Sequence, residues 1–186
     1  MSGSPSWWTF VGASVLVTIV TYWGLGGVVH WLFYVRRRGD AATWKLQPKR
    51  FLSPAMTRHA FWLGSANILW GSVLGGTFAW YVARGGSCAL YVDPGRHGLL
   101  YLPVSALLVF FAIDAGLYYS HRALHGRALF RWIHRWHHRY TAPVIWTTTA
   151  VHPLEFLTFE AFLILPAFVI PCHVALSGEQ GMGVVR

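Results

Sequence analysis

The stretch that decides the fold runs from Ser120 to Glu155 and reads SHRALHGRALFRWIHRWHHRYTAPVIWTTTAVHPLE. It follows a long apolar run and holds six of the ten histidines of the chain. His121 and His125 are four residues apart, so both imidazoles lie on one face of a helix, one turn from each other. That spacing suits two ligands of one metal ion.

A second histidine group, HxxHH, follows at His134, His137 and His138. Positions i, i+3 and i+4 of a helix fall within an arc of about 100°. In one unbroken helix the two groups would point in nearly opposite directions, so the chain must bend between them if they bind one centre. Gly126 follows the first pair and can end a helix in the left-handed conformation. We therefore predict two helical pieces that fold toward each other. A solvated or lipid-binding face would not need this repeated spacing.

Two carboxylates and a sixth histidine flank the cluster. Asp114 lies seven residues before His121, on the same helical face. It is either a hydrogen-bond acceptor that fixes the tautomer of an imidazole or a packing contact between helices. His152 is a candidate sixth ligand, with Glu155 as its orienting carboxylate, or a residue that only starts a helix before Pro153. The remaining histidines stand alone and are expected to be structural: His30, His59, His97 and His173.

The composition indicates a membrane protein. Of the 186 residues 55% are hydrophobic and 11% are charged, which is too apolar for an ordinary soluble domain. The 11 Trp, 8 Tyr and 12 Phe fit the membrane interface. We predict one all-α domain over residues 1–186, a polytopic membrane bundle of about four transmembrane helices. The apolar stretches are 8 to 33, 61 to 83, 99 to 119 and 154 to 176.

The first apolar run, from Trp7 to Val35, is longer than the hydrophobic region of a cleavable signal, so we expect it to stay as a transmembrane helix. The basic residues set the orientation. Seven lie between Arg36 and Arg58, whereas the next connection carries only Arg84 and Arg96. The positive-inside rule puts the first connection in the cytosol. By parity the histidine-rich helical segment is also cytosolic.

The net charge of +9 forms no continuous face, so no nucleic-acid partner is expected. Cys88 and Cys172 make neither a disulfide framework nor a CxxC pair. Imidazole alone suits Zn, Cu, Fe and Ni. The zinc protease motif HExxH is absent from the sequence, and a haem would use only one or two of these histidines. A histidine-rich cluster at a membrane surface best fits non-haem iron that activates dioxygen.

At these residues the sequence resembles the fatty acid hydroxylase superfamily, which includes sterol desaturases, sterol methyl oxidases and sphingolipid hydroxylases. The matching text is HRALH from His121, HRWHH from His134 and HPLE from His152, preceded by Asp114. The resemblance is centred on residues 104–176. WKLQPKRFLSP, at 44–54, looks most like the sterol C5-desaturase or lathosterol oxidase branch, and HRYTAP, at 138–143, also looks like the sterol methyl oxidase branch.

The resemblance implies a di-iron centre on the cytosolic face of the endoplasmic reticulum. Electrons would come from NADPH or NADH through cytochrome b5 or a reductase. The expected activity is dioxygen-dependent sterol desaturation, with fatty acid or sphingolipid hydroxylation or sterol methyl oxidation as alternatives. The family has a further histidine box downstream that is missing from this sequence, so we expect a C-terminally truncated domain. A catalytically inactive member with a structural or regulatory role is the other alternative. The iron ligands implied by the resemblance are His121, His125, His134, His137 and His138.

Overall fold

The computed structural model describes residues 6–174, and their regular structure is almost entirely helical. Seven helices, three short 3-10 helices (Arg38–Asp40, His134–Arg139 and Ile145–Thr148) and two very short strands follow one another along this part of the chain. The helices are α1 (Trp7–Arg36), α2 (Ala41–Trp44), α3 (Pro54–Ala83), α4 (Tyr101–Leu124), α5 (Arg127–Trp132), α6 (Pro153–Ile164) and α7 (Pro166–Val169). The strands β1 (Leu90–Tyr91) and β2 (Cys172–His173) form a parallel pair. The predicted helical architecture is confirmed, and the small sheet was not predicted because two residues are too few to show an alternating pattern.

Two of the described helices, α1 and α4, are long and apolar enough to cross a membrane. In each, little of the most apolar stretch is buried inside the chain, 11% and 6% respectively. Apolar side chains that the protein leaves uncovered need an apolar solvent, which lipid supplies. The protein is therefore a membrane protein with at least two helices of spanning length in the described residues.

The other two predicted spans differ from the expectation in different ways. Helix α3 is 30 residues long and starts well before the predicted position, because Ser53 caps it and Pro54 occupies its first turn. The predicted span 154 to 176 is not one helix. The chain breaks after Ile164, since Pro166 cannot continue the hydrogen-bond ladder, and it leaves the helical conformation at Ile170. The structure thus shows two helices of spanning length among the described residues and does not show the predicted four.

Helices α1 and α3 pack closely because α3 presents small side chains to α1. A Cβ atom added at Gly76 would lie 2.7 Å from the Cα of Val11, so the backbones approach as closely as glycine permits. Ser72 and Thr18 join the same two helices through their hydroxyls, 2.6 Å apart. Small residues and hydroxyl contacts are the usual means of helix association in lipid, where apolar side chains gain little from pairing.

The irregular segment 140–151 is held in place by polar side chains from α1 and α3. The buried Asn67 on α3 donates to the carbonyls of Thr149 and Val151, at 2.8 and 2.9 Å. The Tyr22 hydroxyl, on α1, accepts a hydrogen bond of 3.0 Å from the Thr149 hydroxyl. Irregular backbone inside an apolar protein needs such partners. These contacts fix the segment that follows the histidine groups.

Candidate metal centre

The turn between the two histidine groups is built around Gly126. Helix α4 ends at Leu124 and α5 begins at Arg127, so the predicted division into two helical pieces is confirmed. The predicted left-handed conformation of Gly126 is wrong: its φ is −61° and its ψ is 143°, which is extended backbone. The glycine is needed for space instead, because a Cβ atom here would lie 2.9 Å from the carbonyl oxygen of Ala123.

The second histidine group lies on a 3-10 helix, His134–Arg139, rather than on an α-helix. Ile133, with φ −114° and ψ −70°, separates it from α5. Because a 3-10 helix has three residues per turn, side chains at i and i+3 eclipse each other. The rings of His134 and His137 accordingly stack, with centroids 5.7 Å apart and planes 19° from parallel. The tighter winding keeps the group together.

The two groups converge on one place. The ring of His134 lies 4.6 Å from that of His121 and 4.7 Å from that of His125, measured between centroids. One nitrogen from each of these three rings lies within 4.8 Å of the others. The ring of His138 is 4.7 Å from that of His134. Rings that are 13 residues apart in sequence, at 121 and 134, are therefore neighbours in space.

The nitrogen separations fit a shared ion. The Nε2 atoms of His121 and His125 are 3.2 Å apart, and those of His134 and His138 are 3.1 Å apart. Two nitrogens at about 2.1 Å from one ion, with an angle of 90° to 110° between them, would be separated by roughly 3.0 to 3.4 Å. Such a donor set of imidazoles suits a first-row transition metal. The geometry thus offers two pairs of ligand atoms, one from each helical piece.

A buried carboxylate orients the central imidazole. The Nδ1 atom of His134 lies 2.9 Å from Oε1 of Glu155, and the two side chains are 0% and 1% exposed. With Nδ1–H donating to the carboxylate, the Nε2 lone pair faces the other histidines, which is the arrangement that metal-binding imidazoles use. From the sequence, Glu155 was a candidate for the carboxylate that orients His152, in case His152 is a ligand. The structure pairs it with His134.

Burial, with smaller contributions from the neighbouring imidazoles, lowers the pKa of three histidines of the cluster: His121, His134 and His137. Desolvation, followed by the charges that His121, His138, His125 and His137 would carry, lowers the pKa of His134 to about 4. Burial also lowers the pKa of His137, with further contributions from His138 and His121. A neutral imidazole has a free lone pair, so these side chains can accept a metal ion at pH 7.

Two of the predicted site residues have other surroundings. His152 caps the start of α6, where its Nδ1 accepts a hydrogen bond of 3.2 Å from the Leu154 amide, and its ring packs against Trp136. Asp114 is exposed on α4 and makes no hydrogen bond or ion pair within residues 6–174. Its two predicted uses stay predictions, and so does ligation by His152.

The isolated histidines make packing and hydrogen-bond contacts outside the cluster. His30 stacks on Tyr34, and His97 packs against the ring of Tyr91. His59 supports the cluster indirectly. Its Nδ1 lies 2.8 Å from the hydroxyl of Tyr140, and this contact connects α3 to the end of the 3-10 helix that carries the second histidine group. Sequence reasoning missed this support, and a single histidine far from the cluster gives no signal that could have revealed it.

Comparison with known proteins gives a consistent picture. Residues 106–184 match the sequence model of the fatty acid hydroxylase family. The chain is 34% identical over 80 residues to the Delta(7)-sterol 5(6)-desaturase erg3C of Aspergillus fumigatus, which covers 42% of this chain and 25% of the relative. It is 36% identical over 91 residues to the lathosterol oxidase of Rattus norvegicus, covering 47% of this chain and 30% of the relative.

A third relative is named a hydroxylase. The fatty acid hydroxylase ahd1 of Mycosarcoma maydis is 45% identical over 65 residues, which is 34% of this chain and 17% of the relative. The chain spans less than a third of the length of each of these three curated relatives. No solved structure matches.

Proposed function

We propose that this chain, which carries a fatty acid hydroxylase domain over residues 106–184, is the metal-binding part of a membrane non-haem iron oxidoreductase that acts on a lipid. The observation that carries the proposal is the convergence of five imidazoles from two helical pieces next to apolar helices. Sterol desaturation is the first activity to test, since Delta(7)-sterol 5(6)-desaturases match this chain. Hydroxylation of a fatty acyl or sphingoid chain and sterol methyl oxidation are the alternatives within the family.

The residues present fit iron. His121, His125, His134 and His138 would hold it, with His137 at the edge of the cluster and His152 as a further candidate. Bound iron would supply the activation of dioxygen, with two metal ions in the complete family domain and with electrons from NAD(P)H through cytochrome b5 or a reductase. Asp114 is a candidate hydrogen-bond acceptor that would orient one of these imidazoles from the membrane side.

The side chains of this chain would contribute orientation and exclusion of water. Glu155 holds the Nδ1 proton of His134, so the imidazole keeps one tautomer and one direction. The stacked rings of His134 and His137 limit each other's rotation. The protein would also hold the lipid against the cluster, because an unactivated C–H bond reacts only when it is placed at short range.

We propose that the histidine cluster faces the cytosol, in the membrane of the endoplasmic reticulum. The support is the distribution of charge: basic residues concentrate in the connections 36–58 and 120–153 and are scarce in the connection 84–100. On this topology the chain would have four membrane segments, with α3 and the broken segment of α6 and α7 entering the bilayer beside the two long apolar helices.

The decisive experiment is to purify the protein in detergent, measure iron by atomic emission and follow oxygen consumption with a sterol or a fatty acid present. Near-stoichiometric iron and lipid-dependent oxygen uptake are expected, and His125→Ala should lose both. Iron-free protein that consumes no oxygen would contradict the enzyme and favour the alternative, a catalytically inactive family member with a structural or regulatory function.

A further inference from the structure

An open groove with a volume of about 370 Å³ lies beside the histidine cluster and is not explained by metal binding. One wall comes from α1, through Val29 and Tyr34, and the other comes from the segment 143–148. His137 borders the same space. We call it the α1 groove. Its volume is at the lower end of the range for sites that bind small molecules.

The walls of the α1 groove present apolar surface, although several of its residues are polar. The Thr147 and Thr148 hydroxyls donate to the carbonyls of Val144 and Ile145, at 2.6 and 2.9 Å. The Tyr34 hydroxyl likewise donates to the Pro143 carbonyl at 3.1 Å. These donors are used within the protein. The surface that remains for a ligand consists of threonine methyl groups, the ring of Pro143 and aliphatic side chains.

The inner end of the groove meets the candidate metal centre. The Nδ1 atom of His137 is buried and has no hydrogen-bond partner among the described residues. The ring of His137 stacks on that of His134, the histidine that Glu155 orients. A molecule in the groove would therefore lie one ring away from the centre of the cluster.

The outer end of the groove opens on the flank of a membrane helix. Val29 is 39% exposed and lies seven residues before Arg36, which is about 10 Å along the helix from its basic end. The position corresponds to the boundary between headgroups and hydrocarbon if α1 spans the bilayer. A lipid could reach the groove sideways from the membrane without crossing water.

The α1 helix is firmly attached where it forms the groove. Its winding is π-helical over Ile19–Leu25 and Trp31–Arg36, on either side of a short α-helical piece. Trp146 packs against Tyr22 and His30 of this helix, at centroid distances of 5.3 and 5.5 Å. π-Helical turns are uncommon and are frequently found at functional sites. The two walls of the groove are thus joined by direct aromatic contacts.

We infer that the α1 groove binds the hydrocarbon ring system of a sterol substrate and that Val29 and Tyr34 set the width that the groove accepts. The inference rests on the proposed function and deepens it. It assigns substrate selection to a helix that lies outside residues 106–184, the part matched by the family. A side chain larger than valine at position 29 would fill the groove and exclude the ligand.

The test uses the full protein in phosphatidylcholine nanodiscs, labelled with a sterol that carries a photoreactive diazirine. Peptides are then mapped by mass spectrometry. In the wild type we expect label on peptides that contain Tyr34 or residues 143–148, displaced by unlabelled lathosterol. Val29→Phe should lower that label about tenfold or more, since pocket contacts of this size discriminate by one to two orders of magnitude. A matched control exists on the same helix: Val28 is 61% exposed, so Val28→Phe should label like the wild type.

Val29→Ala guards against misfolding, because it widens the groove and should retain the label. Equal labelling of Val29→Phe and the wild type would overturn the inference, and so would a fatty acid probe at these peptides that the sterol fails to displace. Iron content and oxygen uptake separate this result from the proposed function. If the protein binds iron and turns over but Val29→Phe labels like the wild type, only the inference about the groove is refuted. If the groove is labelled in a protein that has no iron and no activity, only the proposed enzymatic function is refuted.

Discussion

The hydrogen bond between His134 and Glu155 allows a sharp prediction. In Glu155→Gln the shape is kept, but the carboxyl group that accepts a hydrogen bond from Nδ1–H of His134 becomes a neutral amide. The bond is 2.9 Å long and both side chains are at most 1% exposed, so no water replaces the charge. Loss of such a supporting carboxylate costs about 10- to 100-fold in metal affinity, or roughly 1.4 to 2.7 kcal/mol. We expect a decrease in this range.

The second carboxylate oxygen determines what happens to the metal-free protein. Oε2 of Glu155 is buried without a hydrogen-bond partner among the described residues. Its replacement by an amide nitrogen leaves a buried donor unpaired, which costs about 1 to 3 kcal/mol, while removal of a buried charge offsets part of that cost. The thermal midpoint of the metal-free variant should therefore change by much less than its metal affinity.

The assay is competition for iron or cobalt against a chelator, with the protein in detergent at pH 8. Glu160→Gln is the matched control, because Glu160 lies on the same helix, partly buried, with its Oε1 facing Gly71. It should bind metal like the wild type. Equal losses in the two variants, or an unchanged affinity in Glu155→Gln, would refute the assignment of Glu155 as the residue that orients a ligand.

Two further predictions concern the cluster and its turn. His137→Ala should lower the iron content of the purified protein sharply, and His97→Ala should leave it unchanged; equal effects would contradict the site. Gly126→Ala should destabilise the protein by about 1 to 3 kcal/mol in thermal unfolding and reduce its iron, because the added methyl group would meet the carbonyl oxygen of Ala123 at 2.9 Å. Gly27→Ala, with nothing within 4 Å, is its control, and a normal Gly126→Ala protein would show that the turn tolerates a side chain.

The convergence of the histidines could be predicted because two simple facts constrain it. Their spacing places each group on one face of a helical piece, and an unbroken helix would hold the groups apart. The details of the turn could not be predicted. Gly126 is compatible with left-handed and extended backbone alike, and the choice depends on the Ala123 carbonyl, a neighbour known only from the fold.

The partner of Glu155 was also beyond sequence reasoning. Proximity in the chain favours His152, three residues away, but the N-terminal cap of α6 already uses that imidazole. His134 reaches the carboxylate across 21 residues, which only tertiary structure can arrange. The prediction that the fourth apolar stretch, 154 to 176, forms one helix was wrong for a similar reason. Its hydrophobicity was visible, but Pro166 decided where the helix ends.

The dependence of residues 140–151 on Asn67 and Tyr22 has a consequence for biosynthesis. The ribosome synthesises α1 and α3 before it reaches Thr149. The hydrogen-bonding side chains of these helices are therefore already present when the later segment is made and packs against them. A nascent chain that has been synthesised only as far as His125 contains the first histidine pair but lacks His134 and the carboxylate of Glu155 that orients it. A metal ion held by the proposed site would therefore bind in its final geometry only after these early and late segments have packed together.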